Sequence, residues 1–362
     1  MYAVPRSTIC FCLAFAFTMN AAAQTTQRQY QLQKSGDAPL ALRLVDAPVR
    51  QPAEHEVLVR VHAVSLNRRD MYMKLGQYPG PMPPNLVPLS DGAGEVVATG
   101  GKVTRFRKGD RVASIFFQLW LEGRPKPEIF GSALGGTING MLSQYVTLSE
   151  NGLVAIPKHL SYEEAATLPC AGVTAWNALV TRGHTQAGDF VLLQGTGGVS
   201  ILGLQLAVAL GAKPVITSSS DDKLARAKQL GAVATVNYKT TPDWDKAVLA
   251  ATGGGVQQVL EVGGKQTLGK ALASLAPGGH VALIGGLSEF GGDIPAYALM
   301  GRNATASGIY VGSRADFEAL LAFLEKHRFK PAIDKVFEYE NAPAAFDYMD
   351  SASLFGKVVV RL

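Results

Sequence analysis

The stretch FVLLQGTGGVSILGLQLAVALGAKPVITSSS, residues 190–220, decides the fold. The apolar run FVLLQ predicts a buried strand, and the glycine cluster behind it predicts a tight turn. SILGLQLAVALG predicts a helix that ends at Gly211, and PVITSSS predicts a second strand. In such a unit the N–H groups at the helix N-terminus bind the pyrophosphate of a dinucleotide. The stretch therefore predicts a nucleotide site.

Each position of the turn has its own task in such a site. Gly195 permits the tight turn, and Gly197 lets the backbone approach a phosphate. Ser200 stands where the third glycine of the pattern would let the helix pack on the strand, and a serine is small enough to fit there. Gly198 adds room. Together with Val199, these glycines are the cofactor-binding residues that we predict for the turn.

The end of the second strand indicates which nucleotide is bound. An Asp or Glu there would accept hydrogen bonds from the ribose of NAD and would repel the additional phosphate of NADP. This chain has the hydroxyl side chains of residues 217–220 instead, which donate to phosphate oxygens without opposing their charge. We therefore predict NADP(H), with Ser218, Lys223 and Tyr238 as contacts of the additional phosphate.

A second interpretation of the same residues stays open. Ser220, Asp221 and Asp222 also fit the cap of the next helix, in which case Lys223 is solvated. Capping is compatible with phosphate binding. An aspartate turned toward the ribose, however, would favour NAD(H).

Strands and helices continue to alternate behind this stretch. DDKLARAKQLGA predicts a helix, and TVNY, VQQVLEVGG and HVALIGGL predict strands. Such repeats predict an α/β fold in which a parallel sheet has helices on both faces. Near the C-terminus, DFEALLAFLEKH predicts an amphipathic helix and GKVVVRL a last strand.

The first half of the chain has a different pattern, with short strands separated by loops. EVLVRVHAVSL, GAGEVVATG and GDRVASIFF each predict a strand. The proline-rich loop YPGPMPPNLVP, residues 78–88, predicts irregular structure and a wall or lid for a cleft. SYEEAATLPCAGVTAWNALV then predicts a helical segment, which begins with a capping pair at Ser161 and Glu164.

The composition is that of a globular protein with a large core. The chain has 362 residues, of which 47% are apolar and 17% charged, and this length is typical of two domains. Its formal net charge of +5 is spread along the sequence. The densest basic run, RFRKGDR at residues 105–111, is short and has one aromatic residue. We interpret it as a solvated turn and expect no nucleic-acid partner.

The first 23 residues follow the pattern of a secretory signal peptide. Arg6 precedes the apolar stretch Ile9–Met19, which is too short to span a bilayer, and residues 21–23 offer an A-x-A cleavage site. Cleavage behind Ala23 predicts an exported protein, periplasmic or secreted, without a stable membrane anchor. A mis-assigned start or an uncleaved apolar tail is the alternative, and the protein would then be cytoplasmic.

Several stretches carry a resemblance that covers the chain from about residue 30 to its end: SLNRRD, PLSDGAGEVVATG, LPCAGVTAWNAL, QGTGGVS and TSSSDDKLARAKQLGA. On these the chain resembles the medium-chain dehydrogenase/reductase superfamily, in its zinc-independent, quinone-oxidoreductase-like branch. The resemblance implies a GroES-like, β-rich catalytic domain at residues 28–155 and a Rossmann domain with a doubly wound parallel sheet at 156–303. It also implies that residues 304–362 return to the catalytic domain and that Thr174 contacts the cofactor near its nicotinamide.

The positions that hold catalytic zinc in the alcohol dehydrogenases of this superfamily differ here. Asn67 and Ser90 stand at the first two, and only Cys170 remains at the third. One such ligand does not hold zinc, and the six histidines form no convincing pair with another ligand, so we expect no metal. We interpret Cys170 as a buried packing residue and not as a nucleophile.

Without a metal, the chemistry favours a conjugated acceptor. Hydride transfer to a simple ketone leaves negative charge on one oxygen, whereas a quinone or an enone spreads it. We therefore expect an NADP(H)-dependent reductase of a small-molecule quinone, enone or related carbonyl. An alcohol dehydrogenase with a hydroxyl relay, and a nucleotide-binding protein without turnover, as among the zeta-crystallins, are the alternatives. Relatives commonly form homodimers through the Rossmann sheet edge, which the apolar HVALIGGL run permits.

Four residues are the catalytic candidates. Asn67 is the first, as an amide that orients the nicotinamide or the substrate carbonyl. Tyr72 and Tyr78 are candidate proton donors beside the proline-rich loop, and Ser90 or Asp91 is a candidate relay. The alternative is that Asp91 fixes a loop and that the tyrosines only pack.

Overall fold

The computed structural model describes residues 25–34, 39–289, 291, 293–351 and 353–362. The predicted signal peptide lies outside these described residues. Within the described chain there are fifteen strands and ten α-helices, numbered in chain order. The strands are β1 (Thr26–Gln33), β2 (Ala41–Pro48), β3 (Glu56–Leu66), β4 (Asp91–Thr99), β5 (Arg111–Ser114), β6 (Tyr145–Ser149), β7 (Leu153–Ala155), β8 (Phe190–Gln194), β9 (Lys213–Ser218), β10 (Ala234–Asn237), β11 (Val256–Glu261), β12 (Leu275–Leu283), β13 (Thr305–Gly308), β14 (Ile333–Glu338) and β15 (Lys357–Arg361). The helices are α1 (Arg68–Lys74), α2 (Tyr162–Ala166), α3 (Val173–Trp176), α4 (Gly198–Ala209), α5 (Asp221–Gln229), α6 (Trp244–Thr252), α7 (Leu268–Ala273), α8 (Ala296–Met300), α9 (Arg314–His327) and α10 (Ala342–Met349).

The strands behind the glycine turn form the parallel sheet that the sequence predicts. Their order is β10-β9-β8-β11-β12-β13, with every neighbouring pair parallel. The chain runs outward from β8 to one edge and then returns to the other side through β11. Ligands of such sheets bind beyond the carboxyl ends of the strands where the order reverses, which is here at β8 and β11. The α/β fold class with a Rossmann-type sheet is confirmed.

The β-rich part of the chain forms a second sheet. Its order is β14-β15-β3-β4-β5-β7, and β6 pairs with the first residues of β3, Glu56–Arg60. In β3 the alternation of EVLVRVHAVSL places Val57, Val59 and Val61 in the core. The last strand, β15, pairs antiparallel with β3, so the C-terminus of the chain lies within this sheet. Strands β1 and β2 form a separate antiparallel hairpin.

A nearly continuous helical segment, residues 162–181, connects the two sheets. It begins with the capping pair that the sequence predicts. The Glu164 N–H donates to Ser161 Oγ (3.1 Å), and the Ser161 N–H donates to Glu164 Oε2 (2.7 Å). Two π-helical turns, Leu168–Gly172 and Asn177–Thr181, widen the segment, and such turns are frequent at functional sites.

Some elements were not singled out by the sequence patterns. Helices α6 and α7, of nine and six residues, are too short for a clear periodic signal beside the strands. In GDRVASIFF only Arg111–Ser114 pairs as a strand, because the chain leaves the sheet at Ile115 and turns two phenylalanines inward. Among the described helices, none combines the length and the apolar character needed to cross a bilayer.

Candidate active site

A cavity of about 960 Å³ lies between the two sheets. One wall comes from the Rossmann side, with the glycine turn after β8 and the carboxyl ends of β11 and β12. The other wall comes from the end of β3, helix α1 and the proline-rich loop, of which residues 78–81 line the cavity as the sequence predicts. Most lining side chains are aliphatic or aromatic. The cavity is therefore suited to an apolar ligand with few polar groups.

The glycine turn has the geometry of a pyrophosphate site. Gly195 has a φ of +68°, which only glycine adopts without strain. Gly197 is the N-cap of α4, and a Cβ at this position would meet nothing within 4 Å, so the backbone faces open space. Ser200 replaces the third glycine and gains a hydrogen bond, because its Oγ donates to the Gln194 carbonyl oxygen at 2.7 Å. With Val199 and Gly198, these turn residues line the cavity.

The residues predicted to bind the additional phosphate lie at the carboxyl ends of β9 and β10. Ser220 caps α5, since its Oγ accepts the N–H of Lys223 at 3.5 Å. Ser218 is buried, and Tyr238 is 41% exposed. One carboxylate oxygen of Asp221 accepts a hydrogen bond from Asn237 Nδ2 at 2.8 Å. This oxygen is therefore already paired, whereas a carboxylate that selects NAD(H) must accept from the ribose. Partial burial lowers the pKa of Lys223, and a bound phosphate would offset that desolvation.

A buried lysine from the last strand lies beside the cavity. Lys357 is 2% exposed, and its Nζ lies 2.7 Å from the Leu66 carbonyl oxygen and 2.5 Å from Asn67 Oδ1. Asp91 Oδ2, which is fully buried, lies 3.5 Å from the same nitrogen. The two opposite charges form a buried ion pair. Burying two charges costs free energy, and the hydrogen bonds that both groups make to their neighbours offset this cost.

Asp91 connects this lysine to the other positions of interest. Its Oδ1 accepts from Ser90 Oγ at 2.6 Å. Its Oδ2 accepts from the backbone N–H of Cys170 at 3.3 Å and from Ser65 Oγ at 3.4 Å. Asn67, Ser90 and Cys170 are therefore brought together around one aspartate and one ammonium group.

Asn67 and Asp70 frame the start of α1 at the cavity wall. The Asn67 N–H donates to Asp70 Oδ2 at 2.7 Å. Asn67 Nδ2 is buried and has no hydrogen-bond partner among the described residues. Burial raises the pKa of Asp70 to about 6, against the opposing effect of Arg69.

Aromatic rings form the far side of the cavity. The guanidinium of Arg69 lies over the Phe116 ring at 4.5 Å, and its Nη2 donates to the Leu134 carbonyl oxygen at 2.6 Å. The hydroxyls of Tyr78 and Tyr310 are 2.5 Å apart and link the two walls. Burial and this hydrogen bond raise the pKa of Tyr78, so the phenol stays protonated at neutral pH.

The structure separates the sequence-predicted residues into two groups. Asn67, Tyr72, Tyr78 and Thr174 line the cavity. Ser90 is fully buried and is not among the residues that line the cavity, and its hydroxyl donates to Asp91. The catalytic roles of all these residues stay predictions.

Three residues at the site were missed by sequence reasoning: Lys357, Arg69 and Tyr310. Lys357 lies 290 positions from Asn67, so only the fold brings the two together. The sequence shows only that this lysine precedes the apolar run of GKVVVRL. A lysine at the start of a strand is normally exposed. Arg69 lies within the stretch SLNRRD but was not singled out there, and Tyr310 belongs to no motif.

The site does not fit a catalytic zinc ion. The described residues contain no cluster of three or more His, Cys, Asp or Glu side chains that could hold a metal. Cys170 is half-buried and lines the cavity, so it is not the buried packing residue that the sequence predicts. Burial of the thiol and the nearby Asp91 raise its pKa to about 12. The Asn67 carbonyl oxygen is engaged by an ammonium group, which would repel a divalent cation.

Two protein families match the sequence. The alcohol dehydrogenase GroES-like domain matches residues 53–158, and the zinc-binding dehydrogenase family matches residues 198–326. The first match covers β3 to β7 of the β-rich sheet, and the second covers β9 to β13 of the Rossmann sheet.

Individual proteins resemble nearly the whole chain. A zinc-type alcohol dehydrogenase-like protein of Schizosaccharomyces pombe is 44% identical over 85% of this chain and 91% of its own. The quinone oxidoreductase-like protein 2 of Bos taurus is 29% identical over 97% of both chains. The crystal structure of a putative alcohol dehydrogenase from Sinorhizobium meliloti 1021 is 41% identical, with a TM-score of 0.88 over 94% of this chain and 100% of that one.

Proposed function

The chain belongs to the medium-chain dehydrogenase/reductase superfamily, and on that basis we propose that it is a zinc-independent, NADP(H)-dependent oxidoreductase that transfers a hydride to a quinone, an enone or a related carbonyl substrate. Its place among nucleotide-dependent dehydrogenases and reductases makes it an enzyme of that class. The zinc independence, the choice of nucleotide and the substrate are the parts that we propose. The observation that carries the zinc independence and the conjugated substrate is the Lys357 ammonium, which is hydrogen-bonded to Asn67 where a zinc ligand would be expected. The choice of nucleotide rests instead on the end of β9.

The residues around the cavity can hold the nucleotide. The turn at residues 195–199 and the N-terminus of α4 present backbone N–H groups to a pyrophosphate. Thr174 lines the same cavity. When bound, the nicotinamide supplies or accepts the hydride.

The choice of NADP(H) follows from the end of β9. Hydroxyl side chains occupy the position at which a carboxylate would select NAD, and Lys223 lies in the first turn of the helix behind them. Asp221 is engaged by Asn237 through one of its oxygens. These contacts support a phosphate at this position better than two ribose hydroxyls alone.

The polar groups of the cavity support a conjugated acceptor. Asn67 can donate a hydrogen bond to one substrate oxygen through Nδ2. A single neutral donor stabilises a delocalised enolate or quinol oxygen more readily than a localised alkoxide, which a divalent metal would otherwise stabilise. The protonated hydroxyl of Tyr78 is a candidate proton donor for the same reaction.

Oxidation of a small alcohol is the second candidate function. It is favoured by the alcohol dehydrogenase-like relatives and by the chain of hydrogen bonds from Ser90 through Asp91 to Lys357. This series of hydrogen bonds is buried. It ends at Lys357, whose ammonium group is already bonded to Asn67 and Asp91, so it offers no path by which the alcohol proton could reach solvent.

The proposal is tested by nucleotide titration followed by turnover. We expect the purified protein to quench or enhance NADPH fluorescence at lower concentrations than NADH, and to oxidise NADPH with quinones or enones faster than with saturated ketones. NADP⁺-dependent oxidation of simple alcohols that is faster than every such reduction would establish the second candidate instead.

We also propose that the protein is exported and that residues 1–23 are removed. N-terminal sequencing of the native protein would give Gln24 as the first residue. A start at Met1 would place the protein in the cytoplasm instead.

We further propose that the protein is a homodimer. Strand β13 lies at the edge of the Rossmann sheet, where a second copy would continue the sheet. Light scattering on the purified protein gives its mass in solution, and the mass of a single chain would contradict the proposal.

A further inference from the structure

We propose that Lys357 is a positioning residue, which locks the carboxamide of Asn67 with its NH₂ group toward the cavity and so makes Asn67 a dedicated donor to the carbonyl oxygen of the substrate. This inference deepens the proposed function and rests on it. It concerns two residues of different segments, the last strand and the start of α1, which the fold alone brings into contact.

The orientation of the amide follows from the chemistry of the lysine. An ammonium group has donors and no acceptor, so it can face only the oxygen of a carboxamide. Nζ lies 2.5 Å from that oxygen. The amide nitrogen must then lie on the other side of the Asn67 side chain, and a flipped amide would place two donors against each other.

In the described part of the protein, the amide nitrogen is an unpaired donor at the cavity wall. Asn67 lines the cavity, and its Nδ2 is buried and has no hydrogen-bond partner among the described residues. Buried donors are nearly always paired in folded proteins. The donor and the cavity together point to a ligand that carries an acceptor at this place, and a carbonyl oxygen is such an acceptor.

The side chain of Lys357 is held both at its ammonium group and along its aliphatic stem. Its Nζ is held by the Leu66 carbonyl oxygen and by the fully buried Asp91. Its stem packs against the first residue of α4, where a Cβ on Gly198 would lie 2.7 Å from Lys357 Cδ. The lysine therefore joins the nucleotide turn to the amide, and the position of each depends on the other.

The reaction that this arrangement serves is conjugate reduction. A bound NADPH would supply the hydride to the β-carbon of an enone. The C=C electron pair would then form the enolate double bond and the C=O π pair would move to oxygen, where the Asn67 N–H group would stabilise the charge. Protonation of the α-carbon, by the Tyr78 hydroxyl or by solvent water, would re-form the carbonyl. The amide remains neutral throughout, and the lysine exchanges no proton.

The test is the variant Asn67→Asp, with Lys357→Gln and Lys357→Met beside it. An aspartate keeps the acceptor for Lys357 but has no N–H to offer. We therefore expect a folded protein with wild-type affinity for NADPH whose kcat with an enone falls on the order of 100-fold, as for the loss of one oxyanion donor. The KM for the enone should change far less.

The lysine variants separate a positioning role from a structural one. Lys357→Met frees the amide to rotate and should lower kcat by a similar factor, whereas Lys357→Gln, which still offers an N–H to Asn67 Oδ1, should recover part of it. The double variant Asn67→Asp/Lys357→Gln should have a kcat no lower than that of Asn67→Asp alone, because both substitutions act through one amide. The exposed Lys335, replaced by methionine, is the matched control and should leave kcat unchanged.

The inference is wrong if Asn67→Asp keeps its kcat, or if the losses from Asn67→Asp and Lys357→Gln multiply in the combined variant. Should Lys357→Met not fold, these two variants still decide the matter. A wild-type protein that neither binds NADPH nor reduces an enone would instead refute the proposed function, so the two failures can be told apart.

Discussion

Lys223 is the residue that tests the proposed preference for NADP(H). It is partly buried in the first turn of α5, behind the hydroxyl side chains at the end of β9. A charge-assisted hydrogen bond contributes about 1.5–3 kcal/mol. Replacing Lys223 by alanine should therefore weaken NADPH binding about ten- to a hundredfold and spare NADH. Fluorescence titration with both nucleotides measures this directly.

The control for that experiment lies on the same helix. Lys228 is exposed at the other end of α5, and its replacement by alanine should change neither affinity. An equal loss for both nucleotides in the Lys223 variant would mean that this lysine does not contact the additional phosphate.

We expect the protonation of Asp70 to make the stability of the fold depend on pH. Its pKa is raised from 3.8 to about 6 because burial disfavours the carboxylate, so the folded state holds the proton more tightly than the unfolded state. The resulting stabilisation is fully present below about pH 4 and is lost as the pH rises through 6. It amounts to at most about 3 kcal/mol.

The variant Asp70→Asn isolates this contribution, because an amide does not titrate. In urea unfolding, the free energy of the wild type minus that of the variant should decrease between about pH 4 and 6. A difference that stays constant or increases over this range would show that the carboxylate is favoured in the folded protein.

At the scale of the element, the turn between β8 and α4 allows stability to be separated from nucleotide binding. Gly195 has a φ of +68°, so alanine there is strained and should cost about 1–2 kcal/mol of stability. Gly197 has a φ of −78°, and an added Cβ would enter open space. Gly197→Ala should therefore keep its melting temperature but bind NADPH roughly tenfold more weakly, a loss of about 1.4 kcal/mol.

Thermal unfolding and titration of the two variants check this prediction. If Gly197→Ala binds NADPH as tightly as the wild type, the backbone at this position does not approach the pyrophosphate.

The elements also show what can be predicted from local sequence. FVLLQ, the glycine turn and the helix behind it were recognisable because the pattern changes from a buried run to helical spacing within a few residues. The capping pair at Ser161 and Glu164 was recognisable for the same reason, since both partners are three residues apart. Lys357 could not be recognised, because a lysine at the start of an apolar strand is usually exposed, and its burial depends on Asp91 and Asn67 from another part of the chain.

At the scale of the whole molecule, the cavity is a product of chain topology. The last strand returns to β3, which places Lys357 beside Asn67, and Tyr310 from behind β13 meets Tyr78 from the proline-rich loop. The sequence motifs identified each wall separately but not the contacts between them. Tyr72 and Tyr78 were therefore predictable beside the proline-rich loop, whereas their contacts with residues from the other wall, such as Tyr310, were not.

The central claim is that a lysine and an amide occupy the place of a metal centre and that the enzyme works without one. The most direct test is turnover of NADPH with an enone before and after exhaustive dialysis against a chelator, with the zinc content measured on the same samples. We predict far less than one zinc ion per chain and an unchanged rate. A rate that falls with the removal of about one zinc per chain, and returns when zinc is restored, would contradict the account.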